Sequence, residues 1–249
     1  MPFNFRNKIV LVTGASRGIG AQLAKEYLES GAQLILTAAQ PSSLKRLQQK
    51  YKHKGSKVHC CRLDFTDTAC VETFLELLAE YSRIDVCVNN AGINEIDDIE
   101  HTKLEAWDSI MKVNLKGPFI LTRALAAKMK KNKYGRIVNM SSIFGVVTRA
   151  KRSIYSSSKS GLLGLTRCSA IELASHNILV NAVSPGFVLT DLTRNILSKE
   201  EIRRLTGQIP IARMAQPSDI SKTVLFLSSE HNTYIVGQNI IVDGGYVDV

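Results

Sequence analysis

A tyrosine and a lysine four residues apart, Tyr155-Ser-Ser-Ser-Lys159, form the pair in this 249-residue chain whose types and spacing point most directly to chemistry. A phenol titrates near ~10, so it is a poor acid or base at neutral pH unless something stabilises its anion. Four residues make about one helical turn, which sets the Lys159 ammonium on the same face as Tyr155, where it lowers that pKa. A lone Y-x-x-x-K is a weak signal, because any helix can show one.

A second candidate lies near the N-terminus. The run Lys8-Ile-Val-Leu-Val-Thr13 leads straight into Gly14-Ala-Ser-Arg-Gly-Ile-Gly20, which opens a helical pattern. Gly14 permits a tight turn, Gly18 lets the backbone approach a pyrophosphate, and Gly20 lets helix and strand pack closely. Ser16, Arg17 and Ile19 fill the turn, and the helix N-terminus faces the phosphates of a dinucleotide. The spacing is G-x-x-x-G-x-G, a departure from the standard G-x-G-x-x-G. The same residues spell G-x-S-x-G, the nucleophile elbow of serine hydrolases, with Ser16 as nucleophile. Against that reading, the elbow follows the first strand, so no upstream loop supplies an oxyanion hole. The histidines His53, His59, His101, His176 and His231 also stand in contexts with no evident orienting partner.

These residues need elements to position them, and the chain supplies a regular alternation. Short β-branched runs occur at Ile9–Thr13, Leu34–Ala38, Lys57–Leu63, Ile84–Asn89, Arg136–Met140, Leu179–Val183 and Asn239–Val242. Between most of them lie stretches of helical spacing, such as Ile19–Glu29 and Ala69–Glu80. This predicts an α/β fold: a single doubly wound Rossmann domain over residues 1–249, with a mainly parallel seven-stranded sheet and helices on both faces. The run 187–214 breaks the alternation and reads as a substrate loop or lid.

Composition is that of an ordinary globular chain, and its length supports a sizeable core. The opening MPFNFRNK lacks the apolar stretch of a signal peptide, and no segment approaches the ~20 apolar residues of a membrane span, so the expectation is a cytoplasmic protein with no membrane partner. Five cysteines, Cys60, Cys61, Cys70, Cys87 and Cys168, lack metal-type pairing and read as small buried hydrophobes, with no metal site. The net charge of +10 suits an anionic cofactor or substrate, or nucleic acid, and does not choose among them.

Taken together, Thr13–Gly20, Asn89-Asn-Ala-Gly92, Asn114, Ser142, Tyr155…Lys159 and Pro185-Gly186 resemble the short-chain dehydrogenase/reductase family, in order and over essentially the whole chain. The stretches Gly186-Phe-Val-Leu-Thr-Asp-Leu-Thr and Val242-Asp-Gly-Gly245 look closest to 3-oxoacyl-(acyl carrier protein) reductases. The resemblance implies reduction of a ketone to a secondary alcohol, with hydride from a nicotinamide and a proton from Tyr155. It gives Ser142 the substrate oxygen, and the family spacing to the tyrosine selects Ser142 over the adjacent Ser141. It implies cofactor contacts at Asp64 (adenine edge), Asn90 (ribose side), Ala91 and Gly92, Pro185 and Gly186, Val188 and Thr190 (nicotinamide amide), and at Tyr155 and Lys159. Asp64 reads equally as a helix cap before Phe65 and Asp67.

Asn114 is the fourth family position, and the sequence offers its own reason for it. A helical pattern from about Leu104 to Met129 is interrupted by Gly117-Pro118. Pro118 has no N–H for the carbonyl of Asn114, which is left free to hold a relay water. A bland kink explains the same residues.

NAD-binding Rossmann proteins usually carry an acid at the end of the second strand. Here Leu34-Ile-Leu-Thr-Ala-Ala-Gln40 has none, and Arg17 can pair with a 2′-phosphate, which favours NADP(H) and leaves NAD(H) as the alternative. The substrate reads as a small carbonyl or alcohol, carrier-bound or anionic, such as a sugar acid or other carboxylate. Lys128-Met-Lys-Lys-Asn-Lys133 suits an acidic carrier protein, whereas Ile171–Asn177 lacks an expected arginine. A nucleic-acid-binding role explains the charge and not the Ser–Tyr–Lys set, so no nucleic-acid partner is expected. The helices bearing Asn114 and Tyr155 are apolar on several faces, which with the resemblance implies a homotetramer with a further contact near Ile240. Finally, Thr148-Arg-Ala-Lys-Arg-Ser153 places three cations between Ser142 and Tyr155. It reads as a solvated loop, with an anion clamp at Arg149 or Arg152 as the functional alternative.

Overall fold

Period-two alternation along the strands sends their side chains into two separate apolar layers, and this fixes the architecture of the computed structural model, which describes residues 3–190 and 198–248. Val10, Val12, Leu34, Leu36, Val86 and Val88 belong to one buried cluster. Leu11, Ile35 and Cys87, between them in sequence, belong to the other. A strand buried on both faces is the signature of a parallel sheet covered by helices on each side.

The strands are β1 (Ile9–Val12), β2 (Gln33–Ala38), β3 (Val58–Arg62), β4 (Val86–Asn89), β5 (Gly135–Met140), β6 (Ile178–Pro185) and β7 (Asn239–Val242). They form one sheet in the order β3-β2-β1-β4-β5-β6-β7. Every pairing is parallel. The expected fold is therefore the observed one, with each strand within two residues of its predicted bounds.

The helices are α1 (Gly18–Glu29), α2 (Pro41–Tyr51), α3 (Thr68–Glu80), α4 (Leu104–Met111), α5 (Gly117–Asn132) and α6 (Ser153–Leu173), followed by Lys199–Thr206 and Pro217–Ser228. Leu23, Tyr27, Leu47, Ile220 and Val224 bring α1, α2 and Pro217–Ser228 onto one face of the sheet. Phe74, Leu78, Leu121, Leu125 and Leu173 bring α3, α5 and α6 onto the other. Strand order reverses between β1 and β4, and the crevice beyond the carboxyl ends of the strands at that switch point is where a doubly wound sheet binds ligand.

The interrupted helix around Asn114 takes a specific form. Between α4 and α5 lies one π turn, Lys112–Lys116, closed by the Gly117 N–H on the Lys112 carbonyl. Pro118 cannot donate in the ladder, and the chain accommodates this by inserting a residue into the turn. Of the expected lid, 198–214 contains a helix and a loop, and 191–197 lies outside the described residues.

Two expectations about surface groups change. Lys128 is not free for an acidic partner: its ammonium donates to the carbonyls of Leu78, Ala79 and Tyr81, capping the end of α3. Of the cysteines only Cys87 is fully buried, while Cys60, Cys61 and Cys70 are half-buried and Cys168 is exposed. No described helix is long and apolar enough to cross a membrane.

The strand that ends at Pro185-Gly186 is tied to the chain entering β7 by one buried amide. Asn181 donates to the Ile235 carbonyl at 2.8 Å and accepts from the Gln238 N–H at 3.0 Å. Asn181→Leu strands that N–H in the interior, a loss of about 1–3 kcal/mol. Thermal unfolding should show Tm lower by roughly 3–10 °C; a Tm within about 1 °C of wild type would show that the amide contributes nothing.

Candidate active site

Two groups of predicted residues meet at the switch point. The first is the glycine turn. Gly14 has φ +64° and Gly18 +55°, conformations that glycine adopts without strain. At Gly20 the constraint is space, because a Cβ would lie 2.3 Å from the Gly14 carbonyl oxygen and 2.6 Å from the Asn90 amide nitrogen. α1 then begins with no side-chain cap and no acid in its first turn, so its N–H groups remain open to an anion.

A cleft of about 660 Å³ opens over this turn. Gly14, Ser16, Arg17, Gly18, Ile19, Gly20, Asp64, Asn90, Ala91, Gly92 and Thr190 all line it, as expected. Pro185, Gly186 and Val188 lie outside that lining. The Gly186 N–H bonds to the Val242 carbonyl, and Val188 pairs with Ala215. Thr190 reaches across to the turn, its methyl 3.3 Å from where a Gly18 Cβ would stand.

The structure also redistributes roles within the group. The Asn90 amide donates to the carbonyls of Thr13 and Gly14, bracing the turn from β4. Asp64 is not the helix cap. Asp67 caps α3 by accepting from the Cys70 N–H, and Asp64 instead folds onto Thr66, accepting from its N–H and hydroxyl. The lining includes Gln40, Ser43, Leu63, Phe65, Thr66 and Val113, which the sequence reading passed over. Ser43, just past Pro41 at the start of α2, carried a signal in its place directly after the acid-free end of β2.

The second group is Asn114, Ser142, Tyr155 and Lys159. α6 presents Tyr155 and Lys159 on one side, with the Lys159 ammonium 5.6 Å from the Tyr155 ring centroid. Lys159 is 4% exposed and donates to the carbonyl of Met140, the last residue of β5, at 2.8 Å. Burial alone pushes its pKa down to about 8. Ser141 turns inward to the Lys159 carbonyl, which leaves Ser142 as the serine beside Tyr155. The Ser142 oxygen accepts from the Phe144 N–H at 3.2 Å, so its hydrogen remains available to donate.

Burial raises the Tyr155 pKa, and contact with the Ser142 hydroxyl and the charge of Arg152 pull it back. Arg152 thus adds a second cation near the phenol, beside Lys159, whose ammonium lies over the Tyr155 ring. Asn114 is fully buried with its side chain fully committed: Oδ1 accepts from the Ile93 N–H, while Nδ2 donates to the Ile93 carbonyl and the Ser158 hydroxyl. A Cβ on Gly92 would lie 3.5 Å from both Asn114 Oδ1 and Lys159 Nζ, which shows how closely the two groups converge. Among the described residues Ser16 has no histidine partner, so the elbow reading finds no base.

Comparison with known proteins agrees with this geometry. Residues 14–247 match the family model described as enoyl-(acyl carrier protein) reductase. The 3-oxoacyl-(acyl carrier protein) reductase FabG of Aquifex aeolicus is 38% identical over 247 residues, covering 98% of this chain and 99% of the relative. Its Escherichia coli counterpart is 37% identical over 243 residues, covering 97% and 98%. The chain belongs to the short-chain dehydrogenases/reductases and is an oxidoreductase of that family. Among solved structures, a short-chain type dehydrogenase/reductase from Mycobacterium marinum superposes with TM-score 0.88 at 33% identity, covering 98% of this chain and 97% of its own. A gluconate 5-dehydrogenase from Burkholderia cenocepacia, in complex with NADP and tartrate, gives 0.91 at 27% identity, covering 100% and 98%.

The buried ammonium carries a stability signature. Unfolded, a lysine titrates near 10.5; folded, Lys159 titrates near 8. Between those values the unfolded chain binds the extra proton, so stability gains a rising contribution as pH increases from about 8 to 10. Urea unfolding should show wild type gaining on Lys159→Met across that window, by up to about 3 kcal/mol. Parallel pH profiles for the two proteins would mean that Lys159 titrates normally.

Proposed function

We propose that this protein is an NADP(H)-dependent reductase that converts a ketone, of the 3-oxoacyl-thioester or another small carbonyl type, to a secondary alcohol. The observation that carries the proposal is the meeting of Ser142, Tyr155 and Lys159 beside a glycine-turn cleft that has no acid at the end of β2. The cleft fits a dinucleotide because Gly14, Gly18 and Gly20 leave out the Cβ atoms that would fill it, and α1 opens uncapped toward it. Ala38, Ala39, Gln40 and Ser43 line the β2 end, and Arg17 stands opposite, a donor set for a 2′-phosphate rather than for ribose hydroxyls alone. The NADP in the Burkholderia structure supports the same choice.

When bound, the nicotinamide supplies or accepts the hydride. The chain's own residues handle the oxygen. The free Ser142 hydrogen holds the substrate carbonyl oxygen, and Tyr155 delivers its phenolic proton to that oxygen as charge develops. A pKa raised by burial keeps Tyr155 protonated and ready to act as the acid. Lys159 donates once to Met140 and retains two N–H groups for the phenolate and the cofactor sugar. The Asn114 side chain is saturated, so its share in the relay falls to its backbone carbonyl at the π turn.

Acyl carrier protein remains the carrier that the FabG relatives suggest, although Lys128 is withdrawn from its recognition. We further propose a homotetramer, supported by the exposed Leu104, Trp107, Phe119 and Ile171 on α4, α5 and α6.

Tyr155→Phe should reduce kcat by at least about 10³-fold while NADPH binding stays within a few-fold. Ser16→Ala should be mild. Retained turnover in Tyr155→Phe together with its loss in Ser16→Ala would return the assignment to the hydrolase reading. For the cofactor, the ratio of kcat/KM for NADPH to that for NADH should exceed unity and fall in Ala38→Asp through like-charge repulsion. A wild-type preference for NADH would overturn the choice of NADP(H).

A further inference from the structure

The three cations of the loop before α6 meet three different fates. Lys151 adopts φ +67°, a left-handed conformation that costs a side chain strain, and its exposed ammonium pairs with Asp98 at 2.8 Å. Arg149 is exposed and makes no ion pair among the described residues. Arg152 turns inward. Its guanidinium carbon lies 5.4 Å from the Phe144 ring centroid, and its Nε is sealed from solvent with no hydrogen-bond partner. No ion pair or side-chain hydrogen bond satisfies the rest of the group among the described residues.

Arg152 is half-buried, and sealing one guanidinium nitrogen from water without a partner is costly, because the solvation lost is not replaced. Arg136, which is buried, shows the usual remedy: it donates to the carbonyls of Gly135, Asn177 and Asn232. Arg152 has no such set. It shares Phe144 with the catalytic tyrosine, whose ring meets Phe144 edge-on at 6.4 Å, and its charge acts on the Tyr155 phenol. From Phe144 an aromatic row continues through Phe187 at 6.3 Å to Tyr246 at 5.1 Å. Tyr246 borders a cleft of about 790 Å³, with Val147, Thr148, Gln208 and Ile209, and among the described residues no charged side chain lines it. The aromatic row thus joins Arg152 and Tyr155 at one end to this cleft at the other.

We infer that Arg152 is a specificity-determining residue that binds an oxyanion, a carboxylate or a phosphate, carried by the carbonyl substrate close to its reacting carbon. The inference rests on the reading of Ser142 and Tyr155 as the catalytic pair. The planar fork of a guanidinium matches either oxyanion with two parallel hydrogen bonds, and stacking on Phe144 fixes its plane in advance. Arg149, outside this row, takes no part.

Two substrate pairs test this and separate the sources of the anion: acetoacetate against its methyl ester, and dihydroxyacetone phosphate against dihydroxyacetone, each with NADPH and the full-length chain. For one pair, Arg152→Gln should lower the charged-to-neutral ratio of kcat/KM at least about tenfold, close to 1.4 kcal/mol, mainly through the KM of the charged member. That pair identifies carboxylate or phosphate. Arg149→Gln should leave the ratio where it is. A ratio unmoved by Arg152→Gln for both pairs would overturn the inference while leaving the reductase reading intact. If neither pair is turned over, titration calorimetry of acetoacetate and of inorganic phosphate into wild type and Arg152→Gln decides the anion site, and the reductase reading rests on the Tyr155→Phe test. Binding weakened at least tenfold by the substitution supports it, and equal or absent binding in the two proteins overturns it.

Discussion

A lysine only 4% exposed to solvent, Lys159, is the constraint around which the rest of the candidate site is arranged. Desolvation is expensive, and one carbonyl, that of Met140, is the acceptor the fold places against Lys159. That single bond ties α6 to the carboxyl end of β5. Ser141, the next residue, returns the grip by donating to the Lys159 carbonyl, so Ser142 is delivered to the side facing Tyr155. The loop after β4 and the π turn close in from the other side, since Gly92 leaves room for both Lys159 and Asn114. Such an arrangement does not stabilise the chain. The two apolar layers of the sheet must offset it, and β5, buried at every residue, lies in the middle of that sheet.

The switch point then decides what shares the crevice. β1 ends in the glycine turn and β4 in Asn90, and these neighbours are clamped together by the Asn90 amide on Thr13 and Gly14. A residue read from its motif as a ligand contact is thereby also a brace for the phosphate turn. The same holds for Asn114, whose side chain anchors the loop at Ile93 and the helix at Ser158. In both cases the polar side chain has a structural partner at every donor it offers and holds a stretch of backbone in place.

How much of this was legible in the sequence depends on the range of the interaction involved. The strands were visible because burial on two faces produces β-branched runs, and the order of the motifs followed from them. Pro118 announced an interruption at Asn114 through a missing N–H, although not that the interruption would be a π turn. The expected capping role of Asp64 went to Asp67, three residues on, which a local pattern does not separate. Lys128 read as a surface cation because its acceptors at the end of α3 lie about fifty residues away in the chain. The loop of three cations read as solvated for the same reason. Asp98, which captures Lys151 and lets Arg152 turn inward, stands on a different loop.

Arg152 also bears on the direction in which Tyr155 works. Burial raises the pKa of the phenol, and the Ser142 hydroxyl and then the charge of Arg152 pull against it. An oxyanion seated on Arg152 cancels that pull, leaving burial dominant and the phenol protonated, which is the state proton donation requires. By linkage, a phenolate at Tyr155 and an anion on Arg152 disfavour one another, so an anionic product is held less tightly once the phenolic proton has gone. A neutral substrate leaves the cation uncompensated and the phenol more acidic. On the inference that Arg152 binds a substrate oxyanion, the charge carried by the substrate would set both how tightly it binds and how readily Tyr155 gives up its proton.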